Sequence, residues 1–560
     1  MQHKAPHRML KYYPLLLMLT FMTCVSAQSY KITYHRSYND KVAPDQDPVL
    51  VFTNSQQTVI TTQDISQSLA PYPYETFYVD RQKNGYYKLT NFSASKELAT
   101  FDTLLLNRNQ ITFTEETKTI LGYVCKKATT SVNSNSIELW YTTALGVKGA
   151  PNELGQQIGL VLEYVRNGNS KITAVRVEKV KQIPSHIALR PFEEIVDGLT
   201  YQDELSKSRF TQVPIFQNER INFSEHTTSD SILRFANGTV IVKKVKIPDI
   251  KAGSQAFVQL VEKSNGDAYD RTGSVFLIAQ DQAQSFLDGM RNGMNTLPMY
   301  SNGDGTAYPG MVRTHGYSPI YELMRFFTPF GVSHFNNRLT LKGKTWQDSV
   351  IYRQDISEFL SVMAGQEVYI GTYIGNYDKG GHIVSLEMTI HPGSSKMDFP
   401  KIRSLFNTTN VMEMGGQTYA RFFGQEKGLE MSFELPEDAR DVQLRYITTG
   451  HGGWGQGDEF VPKENSIYLD GELAFKFTPW RTDCGSYRLY NPVSGNFQNG
   501  LSSSDLSRSN WCPGTVTTPN YISLGTLKAG KHTIRVHIPQ GAPEGSSFSF
   551  WNVSGALLYN

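Results

Sequence analysis

The chain has 560 residues, with 54 Lys and Arg against 52 Asp and Glu and a formal net charge of +2. Its length predicts several domains, and the near-balanced charge, without a Lys/Arg block or basic stripe, argues against nucleic acid as a partner. Thirty Tyr, thirty Phe and six Trp point to a strand-rich core, because aromatic side chains suit the pleated, half-buried surface of a sheet.

The N-terminus reads as a targeting segment. His3, Lys4, His7, Arg8 and Lys11 form a basic front, Pro14 to Val25 is mostly apolar, and Val25-Ser26-Ala27 is a small-residue cleavage site before Gln28. This predicts a secretory signal peptide over 1–27, too short for a stable span. No later segment is apolar for long enough to cross a bilayer, so no integral membrane segment is expected. An exported protein follows, destined for the periplasm, the cell surface or the medium. Cleavage removes Cys24 and leaves Cys125, Cys484 and Cys512. Cys125 sits in an apolar, strand-like run and is expected as a buried thiol. Export permits a disulfide, and Cys484 and Cys512, within one loop-rich region, are the natural pair. The cysteines lack CxxC spacing and the histidines, including His315, His334, His382 and His391, lack ligand spacing. No metal site and no cofactor are predicted.

Further along, nearly every periodic segment has period two. Val384, Leu386, Met388 and Ile390 alternate with Ser385, Glu387 and Thr389; Ile534, Val536 and Ile538 alternate with Arg535 and His537. Such runs between turn residues predict antiparallel sandwiches. Helix is expected only at Asp281 to Met294 and Ile356 to Met363. The blocks read as a β-rich N-terminal domain over 28–185, a linker over 186–208, and two sandwiches over 209–393 and 394–560.

Three clusters carry candidate chemistry. Asp267, Asp270 and Arg271 fall where a loop enters the apolar run Gly273 to Ile278, a rigid base for groups that must reach solvent. An Asp beside an Arg is held ionised and can activate water; the competing reading is a turn with a surface ion pair. Gly450 to Glu459 holds five glycines around Trp454, and glycine lets a backbone approach a ligand closely. Trp454 would stack on a sugar face, with His451, Asp458 and Glu459 as polar contacts; the alternative is a surface loop. Arg508, Trp511 and Cys512 form the third cluster, where a disulfide would fix an aromatic and a cation for glycan recognition, or would merely pack under a Trp. No GxSxG, HExxH or P-loop is present.

Residues 209–560 resemble the bacterial peptide-N-glycosidase F family of glycoamidases. Asp270-Arg271 ahead of a strand matches that family's DEWDRY segment, and Arg325 to Phe330 resembles its RFITPY. Gly453-Trp454-Gly455 matches the start of its GWGH, and Trp511-Cys512-Pro513-Gly514 is identical to its WCPG. The resemblance implies an all-β protein with two adjacent jelly-roll β-sandwich domains behind a separate β-rich N-terminal domain. It implies hydrolysis of the amide between asparagine and the innermost GlcNAc of N-linked glycoproteins or glycopeptides. Asp270 and Glu459 would be the catalytic carboxylates, and Arg271, Trp511, Arg508, Trp454, His451 and Tyr373 would bind substrate, with Cys484 paired to Cys512. No metal or cofactor is implied, and a monomer is expected. Departures are visible. Tyr373 stands where the family has a glutamate, whose part would be lost or would pass to Asp378 on a shifted loop, and Gln456 stands where it has a histidine.

The first block resembles the bacterial GLPGLI family through Ile120 to Ala128, Glu138-Leu139-Trp140-Tyr141 and Leu154 to Leu160, and is expected to restrict or recruit substrates. Two other functions fit the same residues. A glycoside hydrolase would use Asp270 and Glu459 as its carboxylate pair, about 5 Å apart if retaining or about 6.5–9.5 Å if inverting. A glycan-binding sandwich would use the clusters without chemistry.

Overall fold

The structure is a computed structural model that describes residues 28–44, 46–224, 229, 231–331, 340–393, 398–453, 457–492 and 502–560. The signal segment 1–27 lies outside the described residues. Two compact units are present, Met1–Ser208 and Arg209–Asn560.

In the first unit, thirteen strands among the described residues form one sheet. Every pairing there is antiparallel except Ile195–Val196, which runs parallel to Glu97–Asp102. Cys125 is fully buried in this sheet and carries no disulfide. The stretch expected as a linker is folded. Gly198–Lys207 is a helix, capped by Asp197, which accepts from the Leu199 and Thr200 amides. Its polar composition hides a helical spacing: Tyr201 and Leu205, four residues apart on one face, pack with Leu98.

The second unit is all-β and contains both jelly rolls. In the first, Thr211–Ile221, His382–His391, Gln255–Ser264 and Val350–Asp355 form one sheet. The period-two pattern does the work here: Val384, Leu386, Met388 and Ile390 are buried, while Ser385 and Glu387 are only partly so. The opposing sheet runs Leu233–Phe235, Val240–Lys246, Glu367–Ile374, Thr272–Ile278, Tyr321–Phe327. The second jelly roll stacks Lys401–Asn407, Ser549–Tyr559, Ala439–Gly452 and Asn520–Leu527 on Leu429–Leu435, Gly530–His537, Asn465–Leu469 and Glu472–Phe477.

Helices are shorter than the sequence suggests. Phe286–Asn292 is the helical part of 281–294, and a 3₁₀ turn at Ser357–Phe359 precedes the four-residue helix Leu360–Met363.

The two jelly rolls are joined by backbone, core and charge. Val516–Thr517, from the second, pairs with Arg325 and Phe326 at the edge of the first. Ile402, Ala556 and Leu558 enter the first sandwich's hydrophobic cluster, where each fully buried large aliphatic side chain contributes about 1.5–3 kcal/mol. Arg325, 0% exposed, pairs with Glu322 at 2.6 Å. It also donates across the interface to Thr409, Thr449 and the Asn552 carbonyl. Arg445 reaches back to the Glu322 and Leu323 carbonyls. Breaking such a buried network leaves uncompensated charge, so the interface between the sandwiches has a fixed geometry.

Candidate active site

The Asp267–Arg271 loop lies at the head of Thr272–Ile278, where the Arg271 amide donates to Thr328 Oγ1 at 2.9 Å and the Thr328 amide donates back to Arg271 O. Gly331 lets the chain pass this loop: a Cβ there would lie 2.0 Å from the Asp267 carbonyl oxygen. Asp267 turns inward, 1% exposed, and accepts from Arg271 Nε at 2.7 Å and Nη2 at 3.1 Å. Burial opposes ionisation of Asp267, but hydrogen bonds from His382 and Arg271 outweigh it and hold the carboxyl below the usual range. Arg271 is thereby fixed between the rings of Tyr269 and Tyr377, 5.3 and 5.4 Å from its guanidinium. Asp270 points the other way, toward the second sandwich.

There it meets the glycine-rich segment. Ala439–Gly452 ends the long central strand, and the chain turns at Gly453, with φ +74°, where a Cβ would meet Gly457 at 2.3 Å. Trp454 and Gln456 lie outside the described residues. Asp458 is a structural anchor. It accepts from Trp551 Nε1 at 2.7 Å and from the Gly541 amide, while its own amide donates to Ser549 Oγ. This anchoring holds Glu459 against Arg508.

Arg508 joins the two acids. Its Nη1 lies 3.1 Å from Asp270 Oδ2 and 2.5 Å from Glu459 Oε1. Nη2 donates to the carbonyl and hydroxyl of Ser503. The guanidinium stacks 4.3 Å from the Trp511 ring and 5.0 Å from Phe460. Arg508 is itself buried, whereas the carboxylates keep a solvent edge, 15% exposed for Asp270 and 19% for Glu459. Its backbone is clamped to Arg481 in both directions, and the Cys484–Cys512 disulfide closes the same region. Burial pushes the Asp270 carboxyl up, while Arg508 and Arg271 pull it back. Burial also pushes Glu459 up to about 7; Arg508 opposes this and the nearby Asp270 adds to it.

The other expected site residues are distributed unevenly. Trp511 is 5% exposed, stacked on Phe327 at 4.3 Å, with its indole N–H donating to Gly450 O. One face carries Phe327 and the ring backs Arg508, so its visible role is to hold the cation. His451 is buried among Phe327, Trp511 and Phe550 and hydrogen-bonds Thr449. Burial, with Arg325 and Arg508 nearby, holds it well below its ordinary pKa, hence neutral. Tyr373 is buried and meets Glu413 through its hydroxyl at 3.2 Å. Asp378 is consumed in a turn, accepting from the Gly380 and Gly381 amides.

Two groups had no sequence signal. Glu413, of the second sandwich, receives the hydroxyls of Tyr373, Tyr377 and Tyr419. His382, without ligand spacing in the sequence, is buried between Glu262 and Asp267. Neither is marked by local pattern, because most of their partners lie far away in the sequence. Among the described residues no His, Cys, Asp or Glu cluster could hold a metal, and no helix is long and apolar enough to cross a membrane.

Three family models match the chain: the N-glycanase peptide, N-terminal domain over 32–203; the peptide-N-glycosidase F, N terminal over 212–390; and the peptide-N-glycosidase F, C terminal over 418–558. The solved structures of PNGF-II in two crystal forms are 54% identical, with TM-score 0.89. They cover 95% of this chain and 98–99% of their own. A peptide-N(4)-(N-acetyl-beta-D-glucosaminyl) asparagine amidase structure is 13% identical over 62% of this chain and 96% of its own, with TM-score 0.42. No curated protein matches. Paired jelly rolls with these domain matches define a glycoamidase-type hydrolase. The chain belongs to the peptide-N-glycosidase F family.

Proposed function

We propose that this protein hydrolyses the amide joining asparagine to the innermost GlcNAc of N-linked glycoproteins or glycopeptides. The observation that carries the reading is the meeting of Asp270 and Glu459, from different sandwiches, on the single buried cation Arg508. A fixed cation between two solvent-edged acids can hold water and an amide together without reorganising, and such preorganisation supplies much of an enzyme's rate enhancement.

In this mechanism water sits against Asp270 and attacks the side-chain carbonyl carbon of the glycosylated asparagine. The new C–O bond forms as Asp270 takes the water proton. The C–N bond then breaks, and the proton on Asp270 passes to the departing nitrogen. The products are aspartate and a glycosylamine, which later loses ammonia. Ionised Glu459 accepts the scissile N–H and orients the amide, and Arg271 holds the sugar side of the cleft. General base help supplies roughly 10² to 10⁴ in rate, so orientation and fixed charge contribute the rest. In this reading Trp454 contacts the sugar, while the buried Trp511, His451 and Tyr373 support the site from behind. The first unit acts as an accessory domain for glycoprotein recruitment, and the enzyme works as an exported monomer without a cofactor.

A pH profile follows from Glu459. Its carboxyl is pushed up to about 7 and must be ionised to accept the amide N–H, so kcat/KM rises as pH increases through about 7. Glu459→Gln removes that limb along with most activity. A wild-type profile flat across pH 6 to 8 contradicts this role; steady-state assays on a glycopeptide read it. The reaction itself is tested by mass spectrometry of the peptide product, in which asparagine is converted to aspartate.

A further inference from the structure

Behind the site lies a buried titratable residue that the mechanism above does not use. His382 opens the strand His382–His391 and is 0% exposed. Its Nδ1 lies 2.7 Å from Glu262 Oε1 and its Nε2 3.4 Å from Asp267 Oδ2. Glu262 is 0% and Asp267 1% exposed. Each ring nitrogen therefore faces a buried carboxylate oxygen. A neutral imidazole has one N–H and would turn a lone pair toward one of those acids; only the imidazolium donates to both. The charge balance agrees. Glu262, His382 and Asp267 form a buried chain that ends on the partly exposed Arg271, two acids and two bases, and an unprotonated ring would leave an uncompensated negative charge inside it.

We propose that His382 is a buried imidazolium that, through Asp267, positions the Arg271 guanidinium. Asp267 grips Arg271 at two nitrogens, the bidentate geometry that fixes orientation as well as charge. Arg271 in turn acts on Asp270, whose ionised form it favours. Arg271 is the one cation that the described contacts bring close to His382, and it shares Asp267 Oδ2 with the ring. The strand Gln255–Ser264 presents Glu262 and Ser264, and Thr211–Ile221 presents apolar Ile221. Val350–Asp355 presents Tyr352, whose hydroxyl donates to Phe327 O at 2.8 Å and lies 3.5 Å from Glu262 Oε2. Burial pulls the His382 pKa down, but its bonds to Asp267 and Glu262 outweigh that and raise it to about 9. His382 is a positioning residue: it touches no substrate, and its proton sets the alkaline limit of the site. This role rests on the amidase reading for its effect on turnover, but the charge state of the ring does not.

The test has two arms. In the first, His382→Gln and wild type are assayed on an N-glycopeptide from pH 6 to 10, with thermal melts confirming the fold. A displaced guanidinium lowers kcat/KM by about tenfold to a hundredfold, and the wild-type fall in kcat/KM near pH 9 is absent from the variant. An alkaline limb unchanged in the variant overturns the proposal, because a merely structural histidine would leave the profile in place. In the second arm, ¹⁵N-histidine NMR of the wild type reads the ring directly. A doubly protonated His382 at pH 7.5 that titrates near 9 supports the proposal, and a neutral tautomer at pH 7.5 overturns it. The second arm decides if the variant does not fold. It also separates failure of the proposal from failure of the amidase reading, since it requires no turnover.

Discussion

Asp270→Asn lowers kcat by about 10²- to 10⁴-fold while leaving the melting temperature close to that of wild type. Asparagine keeps the shape of the side chain and retains an oxygen that can accept from Arg508 Nη1, the present partner at 3.1 Å. What is lost is the negative charge and the ability to take a proton from water. Because Asp270 retains a solvent edge, the substitution creates no cavity and strands no deeply buried group, so stability has little to lose. KM changes less than kcat, since the interaction removed is one that strengthens as the water proton transfers. Kinetics on a defined glycopeptide, paired with thermal melts, check this. A variant within threefold of wild type removes Asp270 from the chemistry.

Arg508→Met produces the other large effect, and here stability and activity fall together. Arg508 is buried, holds Asp270, Glu459 and Ser503, and stacks on Trp511 and Phe460. Methionine fills similar volume but leaves two acids facing each other without their cation. Removing one partner of a buried charge network costs about 3–5 kcal/mol, which lowers Tm by several degrees. The acids escape part of that cost by protonating, which disables Asp270 as a base. Arg508→Lys recovers charge without the fork that reaches both acids and Ser503, so it restores more Tm than kcat. Equal rescue of both quantities contradicts the view that Arg508 organises the pair rather than merely neutralising it.

Much of the fold was legible. The alternation from Val384 to Ile390 gives a strand directly, and Cys484 and Cys512 announce their own disulfide. The helix Gly198–Lys207 was hidden because Tyr201 and Leu205 are its buried anchors in an otherwise polar stretch. The candidate site was legible as residue types but not as pairings. The neighbouring residues Asp270 and Arg271 suggest an ion pair, yet Arg271 turns to Asp267 and Asp270 to Arg508, 238 residues away. Which side of a loop a side chain faces is decided by strands packed around it, and no local spacing carries that information. Trp511 shows the same limit: an aromatic beside a cation suggests a sugar platform, whereas Phe327 covers its ring. His382 and Glu413 were invisible for a related reason, since most of their partners lie more than thirty residues away in the sequence.

The central claim is that the bond broken is the asparagine side-chain amide. Digesting an N-glycopeptide in H₂¹⁸O and weighing both products tests it most directly. The expected products are a new aspartate carrying one ¹⁸O and a released glycan that retains both core GlcNAc residues. A peptide that keeps one GlcNAc on an unchanged asparagine contradicts it.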